Sequence, residues 1–170
     1  MTLTRRAAAA STFAALLPSG TARADAIIDA AGRTITPPTR VARVFPAGPP
    51  AAILVYTLAP DLLIGWPRAN RPEELEFLRP DVGARPEVGR ITGRGNTANL
   101  ETVLALKPDL ILDVGSTRQT FSELAERVQT QTGVPYALLD GRFEKTVDTY
   151  RLLGELTGKQ CLPVNSPSSR

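Results

Sequence analysis

The chain has 170 residues, 42% of them hydrophobic and 22% charged, a size and balance that suit one soluble domain with a core of its own and hardly two. It has no histidine and a single cysteine, which excludes a Ser-His-Asp or Cys-His catalytic site, Cys/His zinc spacing and an internal disulfide. The net charge of +3 resides in the first 24 residues, where Arg5, Arg6 and Arg23 lie without any acid; the remainder balances 17 basic against 17 acidic residues and carries no nucleic-acid footprint.

Residues 1–24 have the three-part layout of a secretory signal peptide. Thr4-Arg5-Arg6 is a positive start, residues 7–17 are an apolar run too short to span a bilayer, and Pro18, Ser19 and Gly20 break it before the small-x-small site Ala22-Arg23-Ala24. The adjacent arginines resemble a twin-arginine export signal, although residues 7–9 lack the bulky apolar residue usual after the pair. By either that route or the general secretory one, the mature chain is expected to begin near Asp25, outside the cytoplasm and in the periplasm.

Residues 26–29 and 33–35 flank Ala30-Ala31-Gly32 as a small β-hairpin that Pro37-Pro38 ends. Strands are then predicted over 41–45, 62–66, 110–114 and 136–139. Helices are predicted over 51–58, 73–78, 99–106, 120–131 and 143–157, with Glu123 and Arg127 at i,i+4 spacing and Gly133 as a C-terminal stop. Strands alternating with helices of about ten residues indicate an α/β fold, a parallel sheet with flanking helices. Such sheets take ligands at the loops beyond the strand carboxyl ends, here residues 46–50, 67–71, 92–98, 115–118 and 141–142. Residues 159–170, with Pro163, Pro167 and three serines, read as a disordered or aberrant tail.

The stretch GRGNTANLE, residues 93–101, invites a phosphate-cradle reading, with Gly93 and Gly95 fitting half of the dinucleotide pattern and Ala98 in its third position. The preceding EVGRI is a weak strand, so the pattern stands as one possibility. Asp113 and Asp140, both near strand ends, are a candidate acid-base pair, with helix or loop capping as their structural alternative. Ser116 and Ser122 lack a base, and Cys161 falls in the tail.

Arg68, Arg71, Arg79, Arg85, Arg90 and Arg94 crowd one stretch among five acids, which suits a salt-bridged solvated face. Arg94 and Arg118 stand out because both fall on strand-end loops, where an arginine fork suits an anionic ligand. Trp66, the only tryptophan, sits at a predicted strand end as either core or a stacking wall for a ligand. Tyr56 reads as core.

Taken together, the runs IIDAAGRTI (27–35), TRVARV (39–44), NLETVLALKPDLILD (99–113) and TGVPY (132–136) resemble one family. It is the class III periplasmic substrate-binding proteins of ABC importers, which carry ferric siderophores, haem, cobalamin and related metal chelates. The D-x-x-G-R hairpin and the NLE…KPDL segment are the most recognisable pieces, and the matches cover residues 25–158, read as the N-terminal lobe.

The resemblance implies two α/β lobes joined by a long helix, with ligand held between them, no catalysis and no cofactor of the protein's own. It implies partnership with ABC permease subunits in the inner membrane, and it places Glu101 as the acid that docks on an arginine pocket of the permease. As a plain helix-start acid, Glu101 would instead favour the helix dipole. The ligand-binding set expected is Trp66, Arg94, Asn96, Thr97 and Arg118. The aromatic that cobalamin-binding relatives place just before the glutamate has no counterpart here, which leans towards a polar or anionic iron chelate, and the missing histidines argue against bare zinc or manganese. Against the family's two lobes, the chain is expected to be a truncated product lacking the second. The competing readings are a secreted α/β enzyme using Asp113 and Asp140 and a phosphate-binding module at residues 93–97.

Overall fold

The computed structural model describes residues 25–93 and 98–159, and the fold below is that of those residues. Residues 1–24, expected as a signal peptide, most of the expected tail, and Arg94, Asn96 and Thr97 lie outside them. The three-stranded parallel sheet consists of β3 (Val44–Pro46), β4 (Leu110–Gly115) and β5 (Tyr136–Asp140), with β4 in the centre. Phe45 lies opposite Ile111, Asp113 opposite Leu138, and Gly115 opposite Asp140. Single parallel bridges, Val44 to Leu63 and Trp66 to Glu87, continue the order beyond β3. The chain order thus reverses between β3 and β4, as in an open doubly wound sheet.

Both faces of the sheet are covered, which explains why β4, LILDVG, reads as an almost unbroken apolar run. On one face Val44, Leu110, Leu112, Ala137 and Leu139 pack against helix α1 (Pro49–Leu58) and the final helix α6 (Thr146–Thr157), through Ala51, Ala52, Val55, Leu153 and Leu156. On the other, Phe45, Ile111 and Tyr136 meet Val103 of α4 (Leu100–Ala105) and Ala125 and Val128 of α5 (Gln119–Thr132). No described helix is long and apolar enough to cross a membrane.

The hairpin forms as expected, with β1 (Ile27–Ile28) antiparallel to β2 (Thr34–Ile35). Gly32 turns it at φ +78°, a left-handed conformation that glycine adopts at least cost. The Asp29 carboxylate organises the turn by accepting the N–H groups of Ala31 (3.0 Å) and Arg33 (2.9 Å). It also accepts from the N–H of Leu138 in β5 (3.2 Å), while Ala30 N–H donates to the Leu138 carbonyl (3.0 Å). Arg33 donates to the Tyr136 carbonyl and lies over the Tyr136 ring. The D-x-x-G-R motif is therefore a clamp that covers the free edge of β5.

Several predicted boundaries move for identifiable reasons. The strand expected over 41–45 starts only at Val44, because Ala42 and Arg43 give their N–H groups to the Asp109 carboxylate (2.8 and 2.9 Å). The strand expected over 62–66 is not a ladder strand. Pro60–Leu62 is a 3-10 turn whose carbonyls, with that of Leu63, are taken by Arg85, and only the two single bridges remain. The helix expected over 73–78 is the shorter α2 (Pro72–Leu75), and a further short helix, α3 (Pro80–Gly83), forms in the stretch expected as a connection; each is opened by a proline, which suits a first helical turn but not an interior one. Residues 143–157 begin as a 3-10 turn, Phe143–Lys145, before α6. Glu123 accepts from Gln119 (2.8 Å) on the N-terminal side of α5, rather than pairing with Arg127 as its spacing suggested.

Candidate functional site

Because the strands run in parallel, the loops after β3, β4, β5 and residue 66 emerge at one edge of the sheet, and α1, α4 and α5 start there. This carboxyl edge is the candidate site. Trp66 ends the bridged segment beside β3 and is 4% exposed. Its indole N–H donates to the Val82 carbonyl (2.9 Å), and its ring stands 5.8 Å from that of Tyr56. Trp66 is thus a core residue on most of its surface. Its remaining surface lines a cavity of about 310 Å³ between the start of α1 and residues 67–78.

Arg118 is exposed at the N-terminal cap of α5, where its Nε donates to the Ser116 hydroxyl (3.1 Å). Glu101 is exposed in the first turn of α4. Its helix is capped by Asn99, whose side-chain oxygen accepts from the N–H and hydroxyl of Thr102 (2.7 and 2.8 Å). That cap explains why a short helix begins at the NLE motif and why the glutamate in it projects from a helix start. Trp66, Arg118 and Glu101 therefore share the carboxyl edge, each on a different loop or helix start.

The arginine-rich stretch is mostly engaged within the protein. Arg68 forks onto Glu74 (2.5 and 2.8 Å) and, together with the Arg71 N–H, holds the Glu74 carboxyl down to about 2. Arg79 pairs with Asp81 (2.8 Å) and Asp61 (3.3 Å). Arg85 serves the carbonyls at Pro60 and Leu63 instead of an acid.

The two aspartates considered as an acid-base pair do not act on one another. They lie on the same face of the sheet, two register positions apart, but each carboxylate has its own partners. Asp140 is held by Arg142 through contacts of 2.6–3.1 Å, and that guanidinium lowers its pKa. Asp113 is 5% exposed and accepts from the Thr92 hydroxyl (3.0 Å), the Tyr136 hydroxyl (3.2 Å) and the Val114 N–H (2.9 Å). Burial raises its pKa despite those donors, and pushes the Tyr136 hydroxyl up as well.

This buried network was not predicted. An aspartate inside an otherwise apolar strand was the signal for it, but its partners lie 21 and 23 positions away. The network also bears on the dinucleotide reading. In a doubly wound sheet such a ligand would enter the crevice between β3 and β4. Here the N–H groups of Ile91 and Thr92 donate to the Ala47 carbonyl at the end of β3 (2.8 and 3.0 Å), while the Thr92 hydroxyl reaches Asp113 at the end of β4. Residues 91 and 92 thus link β3 to β4 at that position. Among the described residues, no group of three or more His, Cys, Asp and Glu side chains could hold a metal ion.

No family model matches the chain, and no curated protein matches it. Solved structures do. An ABC transporter solute binding protein from Sulfurospirillum deleyianum superposes with a TM-score of 0.64 at 21% identity, covering 78% of this chain and 42% of its own. The TroA-like periplasmic binding protein FepB from Veillonella parvula gives 0.60 at 21% identity, with coverages of 78% and 42%. The molybdate periplasmic binding protein MolA of Haemophilus influenzae, bound to molybdate, gives 0.52 at 17% identity, with coverages of 79% and 46%. The chain thus spans less than half the length of each of these proteins. The described residues have the fold of a partial lobe of the periplasmic solute-binding proteins of ABC transporters.

Proposed function

We propose that the chain acts as the substrate-binding component, or part of one, of an ABC importer for a metal chelate, an iron chelate being the first candidate. The observation that carries this reading is the match of 78% of the chain to a lobe of a solute-binding protein. In this reading residues 1–24 direct export, the carboxyl edge forms one wall of a ligand cleft, and Trp66, Arg94, Asn96, Thr97 and Arg118 contact the ligand. Glu101, exposed at the start of α4, docks on the membrane permease. The separate engagement of Asp113 and Asp140 favours binding over acid-base catalysis, because neither carboxylate is left facing a shared substrate position. Arg118 on the edge and the molybdate-bound relative favour an oxyanion as the second ligand class.

Titration of the full chain with ferric citrate, a ferric hydroxamate, ferric tris-catecholate, haem, cobalamin and molybdate tests the reading by calorimetry and Trp66 fluorescence. Saturable binding of a ferric chelate is the expected result. Saturable binding of molybdate alone would transfer the reading to oxyanions, and binding of none of the panel would overturn it.

A further inference from the structure

The cavity beside Trp66 has walls of unequal character. Pro49, Ala52 and Trp66 make an apolar side, Ile53 is 53% exposed, and Phe77 stands 82% exposed at the opposite wall. Large apolar side chains held so open on either side of one cavity are a recognisable ligand feature in small-molecule sites. The position of Phe77 is set from within: the Tyr56 hydroxyl accepts the Arg79 N–H (2.9 Å) and reaches the Phe77 carbonyl (3.5 Å), which ties residues 77–79 to α1.

The polar groups around the cavity are already used. The Trp66 indole N–H is on the Val82 carbonyl, the Asn70 amide N–H on the Gly83 carbonyl (3.0 Å), and Arg68 and Glu74 neutralise one another through two contacts. A charged group entering here would find no free counter-charge, and it would give up water for nothing. A neutral ring would lose little on entry and would meet the apolar surface that Trp66, Ile53 and Phe77 leave open there. The volume, about 310 Å³, lies at the small end of ligand pockets, about 300–1,000 Å³, and suits one part of a ligand rather than a large whole.

We infer that this cavity is a subsite for a neutral aromatic ring carried by the ligand, seated between Trp66 and Phe77. It deepens the binding reading above and rests on it only for the identity of the rest of the ligand. Ionic and metal-bearing parts of the same molecule are held elsewhere on the edge.

The test uses the full chain and phenol as a neutral ring, cyclohexanol as an aliphatic match and benzoate as a charged one, followed by NMR of the single tryptophan indole N–H. Phenol is expected to shift that resonance saturably, and benzoate and cyclohexanol to do so far more weakly. Phe77→Ala and Ile53→Glu, both at exposed positions, are each expected to weaken phenol by about tenfold or more. Phe143→Ala, an equally open phenylalanine beyond β5, is expected to leave phenol binding unchanged. No shift with phenol, an equal response to benzoate, or insensitivity to Phe77→Ala would overturn the subsite. A comparison of ferric tris-benzohydroxamate, which carries neutral phenyl rings, with ferric tris-acetohydroxamate separates the two claims. Acetohydroxamate bound as well as benzohydroxamate would sink the ring subsite and leave the transport reading standing; phenol bound without any ferric chelate would do the reverse.

Discussion

The Asp29 carboxylate accepts the backbone N–H of Leu138, 109 positions further along the chain, at 3.2 Å. With the Ala30–Leu138 bond beside it, this contact turns a two-residue hairpin into the cover of an edge strand. Asp29→Ala would leave three backbone N–H groups without their charged acceptor, at a cost of about 3 kcal/mol or more. Urea denaturation should show that loss, and amide exchange at Leu138 should accelerate. An unchanged midpoint would mean that the hairpin contributes nothing to the sheet.

Gly65 allows the bridged segment ending at Trp66 to lie against residues 86–88. A methyl group there would stand 2.5 Å from the Pro86 carbonyl oxygen and 2.4 Å from a Val88 methyl. The Val88 side chain can turn, but the backbone carbonyl cannot, because its oxygen accepts the Trp66 N–H at 2.9 Å. Gly65→Ala is therefore expected to destabilise by about 1–3 kcal/mol through overpacking. Exchange at the Val88 amide, which donates to the Trp66 carbonyl (2.8 Å), reports whether the damage is local.

Asp113 gives a pH signature of definite sign. Burial raises its pKa in the folded state above the ordinary 3.8, so its contribution to stability is fully present below that value and is lost as pH rises through the folded pKa. The stability of the native protein relative to Asp113→Asn should therefore fall as pH rises from about 3.8 and level off once Asp113 is ionised. Charged groups around it are few: Arg33 lies over the Tyr136 ring, and the direct contacts are the hydroxyls of Thr92 and Tyr136 and the Val114 N–H. A relative stability that climbs with pH would contradict the assignment. Tyr136→Phe removes one of those donors and should cost about 1–3 kcal/mol.

Glu101 is exposed in the first turn of α4, so Glu101→Lys should cost no more than the helix-dipole interaction it reverses, about 1–2 kcal/mol. If Glu101 docks on a permease, the same variant should abolish importer-dependent uptake while ligand affinity measured by calorimetry stays unchanged. Loss of ligand affinity with intact uptake coupling would place Glu101 in the ligand site instead.

The alternation of apolar runs with amphipathic stretches was enough to recover the α/β architecture, both strands of the hairpin, and β4, β5, α1 and α5 to within a few residues. These elements are legible because their signals are local: a buried parallel strand is apolar throughout, and α5 ends on a left-handed glycine, Gly133 at φ +69°. The segment 62–66 misled because its apolar text is that of a strand, while Arg85, 22 positions beyond Leu63, takes the carbonyls of Pro60 and Leu63 around its start. At the candidate site, the sequence pointed to strand-end loops and to Trp66, Arg118 and Glu101. It also allowed Trp66 as core and read the arginine cluster as a salt-bridged face, as the structure has them, but it did not reveal that Phe77 stands open across a cavity.

By itself, then, the sequence determined the fold class and the exclusion of histidine chemistry, and it pointed to the edge of the sheet that carries the candidate site. Those properties follow from composition, from periodicity and from the polarity of parallel strands. Tertiary structure decided which side chains are spent on holding the fold and which remain available on that edge. Asp29, Asp113 and Arg85 look like any other charged residue in the text, and each is committed to partners more than twenty positions distant. Such pairings are settled when the sheet closes and water leaves, because only then does a buried charge need a partner.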